Sequence, residues 1–113
     1  MIILNISDGV EVDAALIKNY FSALVNCVFK ILPMKENKEE SLNAYMRSLQ
    51  MEMVGCKELV DAINNDSMYL SLLSMLQYQI DNPNCPVNDT RREVFKAIAI
   101  CNKLKARYTE EAN

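Results

Sequence analysis

The chain reads as an all-α, four-helix bundle-like domain with a short N-terminal β-hairpin or extended arm. Three observations predict this. Breakers are scarce, with two glycines and three prolines in 113 residues. The chain is rich instead in Leu, Met, Ala, Glu and Lys, which lose little on entering a helix. Apolar residues recur at steps of three and four over long stretches, and polar turn formers cluster between those stretches. A chain of this length makes one domain, 1–113, and a helical domain of this size buries a core without disulfides or metal.

The first element, residues 1–12, is the hairpin or arm. Leu4 and Ile6 alternate with Asn5 and Ser7, and Val10 and Val12 alternate with Glu11 and Asp13, around an Asp8-Gly9 turn. A two-residue loop at Asp8-Gly9 would set Ile6 opposite Glu11 and mix apolar with charged residues on each face. A three-residue loop, Ser7-Asp8-Gly9, sets Ile6 opposite Val10 and Leu4 opposite Val12, so one face is wholly apolar and Gly9 takes the left-handed position. An isolated hairpin is marginal in water, so it must lie against the helices. The alternative is an irregular arm packed on helix one.

Helix one is expected over 13–32. Asp13 caps it, Val12 and Ile17 staple it, and Pro33 ends it. Lys18, Ser22, Asn26 and Lys30 form one narrow polar stripe, and apolar residues cover most of the remaining circumference. That apolar face is wider than a surface helix needs, which places the helix at the centre of the bundle or against another chain. A charged connection, Met34 to Glu40, leads to helix two over 41–63, capped by Ser41. Its stripe Leu42, Met46, Leu49, Met53, Cys56, Val60, Ile63 has heptad spacing, as expected of an antiparallel bundle core or an intermolecular coiled coil. Gly55 is either a weak point or a site of close packing.

The Asn64-Asn65-Asp66-Ser67 cluster breaks the chain, and Ser67 caps helix three over 67–80. This helix contains no charge, so it should be packed on more than one side. The loop Asp81 to Asp89 holds Pro83 and Pro86. Helix four is expected over 90–108, opened by the Thr90-x-x-Glu93 capping box, or by Asn88 or Asp89. Val94, Ala97, Ile98, Cys101, Leu104 and Tyr108 should face inward. Residues 109–113 form a frayed tail.

The chemistry available is limited. The chain has no histidine, so the commonest general base and Glu-x-x-His metal sites are excluded. No Cys-x-x-Cys pair and no glycine-rich phosphate loop occur. The expectation is a protein that is not an enzyme, with no catalytic residues, no cofactor and no metal. Cys27, Cys56, Cys85 and Cys101 are expected as free thiols. Cys85 alone falls in a loop, and flanking Asp81 and Asp89 argue against its activation.

Charge singles out one surface. Residues 1–89 carry −6, residues 90–109 carry +5, and Glu110 and Glu111 restore the net −3. Arg92, Lys96, Lys103 and Arg107 lie within ~60° of one another around helix four. This stripe is the candidate binding surface, for nucleic acid or an acidic partner, or else an ordinary solvated face. A helix-turn-helix would have a short turn before the recognition helix, and the long loop before helix four does not match it. No family resemblance emerges. The function expected is a small non-enzymatic protein–protein interaction module that self-associates through apolar helix faces. The alternative is a small nucleic-acid-binding regulator using the basic stripe. With no signal-like leader and no run expected to span a bilayer, the location expected is cytoplasmic, without membrane contact.

Overall fold

The computed structural model describes the backbone over residues 3–5, 11–59, 61–64 and 66–110, and side chains over 15–57, 63–64 and 66–107. Its helices are α1 (Ala14–Phe29), α2 (Ile31–Glu36), α3 (Leu42–Leu59), α4 (Asp61–Asn64), α5 (Ser67–Asp81) and α6 (Val87–Glu110). The pairs α1–α2 and α3–α4 supply two of the four helical stretches, and α5 and α6 supply the others. The segments β1 (Ile3–Asn5) and β2 (Glu11–Asp13) pair antiparallel, with Leu4 across from Val12. The Ser7-Asp8-Gly9 loop and the Ile6–Val10 pair lie outside the described residues, so the hairpin as a whole is not shown. The Val12–Ile17 staple, the Asp13 side-chain cap, Val60, the inward-facing Tyr108 and the end of the tail also lie outside them.

The four stretches pack as a bundle for a reason visible in each. Core residues step by four and three: Ile17, Phe21, Leu24, Val28 and Ile31 in α1–α2, and Val94, Ala97, Cys101 and Leu104 in α6. Met46, Leu49 and Met53 of α3 and Tyr69, Leu72 and Leu76 of α5 complete the interior. This spacing suits helices that cross at a shallow angle, ridge into groove. Each large apolar side chain buried in this way contributes ~1.5–3 kcal/mol. α1 packs chiefly on α6, α6 also meets α5 and α2, and α3 meets α5. The Glu36–Arg91 ion pair joins the end of α2 to the start of α6, so α1–α2 and α6 run antiparallel.

Several expectations are corrected. Pro33 does not end helix one. It occupies the first turn of α2, where its missing N–H has no intrahelical partner to lose. Its cost falls four residues earlier, because the Phe29 carbonyl loses the donor it would have had at position 33. The helix is accordingly interrupted between Phe29 and Ile31. The charged connection is shorter than expected, since α2 runs to Glu36 and closes in a Schellman motif. Lys38 N–H bonds Lys35 O at 3.1 Å and Glu39 N–H bonds Met34 O at 3.0 Å. Lys38 holds φ 54° there, where glycine is the usual occupant.

Helix three is capped by Asp66 rather than Ser67. The Asp66 carboxylate accepts from the Met68 and Tyr69 N–H groups. Helix four starts at Val87, earlier than the expected Thr90, and the Pro86 carbonyl accepts the Asp89 and Thr90 N–H groups. Thr90 is therefore no cap. It is buried on the first turn of the core stripe. At Gly55 a Cβ would meet nothing within 4 Å, which removes the close-packing explanation and leaves a helix-weakening glycine.

Taken together as Ala15–Glu36, α1 and α2 are long and apolar enough to cross a bilayer by length and composition, contrary to the expectation of no such run. Their apolar stripe from Ile17 to Ile31 lies in the bundle core.

Candidate functional site

The basic stripe of α6 is exposed, but its four members are not equivalent. Arg92 pairs with Asp89 at 3.4 Å and Lys96 with Glu93 at 3.6 Å, both within one helical turn at the surface. Such pairs are worth little and leave the cations accessible. Lys103 is exposed and forms no ion pair with a described residue. Arg107 reaches across to α5, where its guanidinium donates to Asp66 Oδ2 at 2.6 Å and to Met68 Sδ at 3.4 Å. Asp66 is the α5 cap, with its side chain 2% exposed. Arg107 thus holds the N-terminus of α5 against α6, a structural task that the stripe pattern does not reveal.

Beside this cap lies a cluster of buried and half-buried hydroxyls and thiols. The Tyr20 and Tyr69 hydroxyls meet at 2.8 Å. Tyr69 donates to the Met53 carbonyl at 2.7 Å, so the hydrogen of Tyr20 goes to Tyr69. Burial raises the pKa of Tyr20 above the tyrosine range, and the neighbouring Tyr69 adds to the shift. Burial likewise raises Tyr69. It also raises Cys56 and pushes Cys101 from 9.0 up to about 12. These groups stay neutral at ordinary pH, and a buried thiol held neutral is a poor nucleophile. Tyr45 donates to the Cys27 carbonyl at 2.6 Å, joining α3 to α1.

The other end of α5 is built differently. A cleft of about 410 Å³ opens between α2, the start of α3 and the α5–α6 loop. Ile31, Leu42, Met46 and Val87 form apolar walls, and Lys35, Gln79 and Cys85 supply polar groups. Gln79 is 2% exposed. Its Oε1 accepts from Thr90 Oγ1 at 2.9 Å and from Cys85 Sγ at 3.4 Å, but its Nε2 has no hydrogen-bond partner among the described residues. Lys35 Nζ donates to the Pro83 carbonyl at 3.1 Å and to Cys85 Sγ at 3.5 Å. The loop cysteine therefore has an ammonium in contact, brought from a helix 50 positions away, although its flanking aspartates suggested an acidic setting. Sequence did carry a signal for Gln79 and Thr90. Gln79 continues the steps Tyr69, Leu72, Leu76, and Thr90 precedes Val94 by four, so both are polar residues on core stripes.

A third feature is apolar and exposed. Phe29 is 48% exposed and Phe95 is 51% exposed. Each follows a core residue by one position, Val28 in α1 and Val94 in α6. In antiparallel helices such positions flank the same seam, and the Glu36–Arg91 pair lies on the continuation of that α1–α6 seam into α2. Leu16, Met51, Leu70 and Tyr78 are also exposed. Met51, at 75% exposed, lies off the core stripe of α3. Among the described residues no group of three or more His, Cys, Asp or Glu side chains could hold a metal ion.

Compared with known proteins, the chain matches no family model, no curated protein and no solved structure.

Proposed function

We propose that this protein is a small non-enzymatic interaction module that self-associates through the outer seam of α1 and α6. One observation carries the proposal: two phenylalanines, each about half exposed, occupy equivalent flanking positions on an antiparallel helix pair. Single exposed apolar residues are ordinary, but aromatic side chains gathered on one seam are enriched at interfaces. A two-fold dimer sets this seam against its own copy, so each phenylalanine gains an apolar neighbour from the same patch. The N-terminal segment, as a hairpin docked on the bundle, and a cytoplasmic location without membrane contact belong to the same proposal.

Nucleic-acid binding by the basic stripe draws less support from the geometry. Arg107 is committed to the α5 cap, which leaves Arg92, Lys96 and Lys103 as the accessible cations. Multi-angle light scattering at micromolar concentration tests self-association. The expected result is twice the 12.9 kDa chain mass, returning to the monomer in Phe29→Ser/Phe95→Ser. A monomeric wild-type protein, or a dimer untouched by that double change, would overturn the proposal.

A further inference from the structure

We infer that the cleft between α2, α3 and the α5–α6 loop is a binding site for a small carboxylate with an apolar body, a short alkanoate being the simplest member of the class. The inference is independent of self-association, because neither Phe29 nor Phe95 lines the cleft.

The polar groups in the cleft select the ligand's head. A buried amide hydrogen without an acceptor costs about 1–3 kcal/mol, and native structures leave few such groups. Gln79, one of the residues lining the cleft, holds such a donor in its Nε2, which is itself buried. Lys35 is half-buried, and its ammonium has three hydrogens. Two of them are used on Pro83 O and Cys85 Sγ, and one is left. Of the two other amides that line the cleft, Asn84 is exposed and Asn43 is already paired. Its Nδ2 donates to the Ile80 carbonyl, and its Oδ1 accepts from Arg47. Among the lining side chains that are not exposed, the polar groups still seeking partners are thus donors, and one of them is cationic. A carboxylate matches that charge at Lys35, and its second oxygen suits the Gln79 amide once that side chain turns toward the cleft.

The walls select the rest of the molecule. Ile31, Leu42, Met46 and Val87 are apolar, and about 410 Å³ lies within the ~300–1,000 Å³ of pockets that hold small ligands. Met46 has the flexible side chain that adapts to an alkyl tail. Glu39 and Glu40 oppose an anion at the rim and Lys38 favours one, but all three are exposed there. Their charges are screened by water, whereas Lys35 acts from a half-buried position where electrostatic interactions are stronger.

The test uses sodium octanoate as the probe on the full chain, followed by calorimetry and by alkylation of Cys85 with iodoacetamide, read by peptide mass spectrometry. Octanoate should bind and slow Cys85 alkylation. Uncharged octanamide should bind about tenfold more weakly, the equivalent of one lost charge-assisted contact. Lys35→Met and, separately, Gln79→Leu should each weaken octanoate by about tenfold, while Lys38→Met at the rim should change it by less than about twofold. Circular dichroism establishes that each variant is folded. Phe29→Ser/Phe95→Ser should leave octanoate binding unchanged, which separates this site from the self-association seam. Octanamide binding as tightly as octanoate overturns the carboxylate assignment. Octanoate that leaves Cys85 alkylation at its original rate, or that binds folded Lys35→Met undiminished, overturns the site.

Discussion

At the first turn of α5, Asp66 satisfies both carboxylate oxygens, one with two backbone N–H groups and the other with Arg107. At the last turn, Gln79 satisfies one end of its amide and leaves the other without a partner among the described residues. Both residues are buried, both stand between α5 and α6, and both reach a side chain of α6. The difference separates two uses of buried polarity. A completed set of hydrogen bonds fastens two helices together. An incomplete one contributes less than an apolar filling of the same shape would, so its place in a small core calls for another explanation.

The largest effect expected from this contrast is at the completed end. Asp66→Ala removes a helix cap and the acceptor of a charge-assisted hydrogen bond, and should destabilise the fold by about 2–4 kcal/mol. Arg107→Met should cost less, because Asp66 still caps α5 and the Arg107 side chain is 41% exposed. Urea unfolding of the two variants measures both. An Asp66→Ala protein as stable as wild type would show that this end is not a fastening.

Much of the bundle was legible in sequence because its cause is local. The steps of four and three in Ile17–Phe21–Leu24–Val28 or Val94–Ala97–Cys101–Leu104 depend only on helical periodicity. Pro33 misled because proline acts on the carbonyl four residues earlier, so the break falls at Lys30 rather than at the proline itself. Ser67 and Thr90 misled for a related reason. Both have capping chemistry, but Asp66 already holds the donors of α5, and the start of α6 at Val87 places Thr90 inside the core. The roles of Arg107 and Lys35 were not legible at all. Their partners are 41 and 50 positions away, and only the docking of α5 on α6, and of α2 beside the loop, brings them together. The basic stripe was visible as a pattern, but that pattern does not distinguish a cation facing water from one engaged to a buried cap.

A smaller effect, on the order of 2 kcal/mol by about pH 11, should appear as alkaline instability centred on the completed end. In the folded chain Cys101 ionises only near pH 12, against 9.0 for an ordinary thiol. Its contribution is fully present below pH 9. It is lost as pH rises toward 12, because the unfolded chain releases a proton that the folded chain retains. Cys56 acts in the same direction, and raised Tyr20 and Tyr69 add to the loss above their ordinary value of 10.0. Stability should therefore be flat through neutrality and fall above about pH 9. Cys101→Ala should lower stability at neutral pH through lost burial, yet make the first part of that fall shallower. Amide exchange should accelerate first around Met68 to Leu72, ahead of Leu76 to Ile80. A stability profile level from pH 7 to 11 would contradict this assignment.

The smallest effect is expected where the hydrogen bonding is incomplete, and there the sign matters more than the size. Thr90→Val leaves Gln79 Oε1 with only the Cys85 thiol, and Gln79→Leu leaves the Thr90 hydroxyl without its amide acceptor, so each single change should cost about 1 kcal/mol. The double variant Gln79→Leu/Thr90→Val removes both partners and the unpaired Nε2 together. Its stability should lie within about 1 kcal/mol of wild type, or above it, because similarly shaped apolar groups replace a partly satisfied pair. The same protein should bind octanoate about tenfold more weakly, since the amide donor is gone. Urea unfolding of the four species closes the cycle. A double variant as destabilised as Asp66→Ala would make both ends of α5 fastenings and end the distinction between them. A stable double variant with weakened octanoate binding would place the value of Gln79 in recognition rather than in the fold.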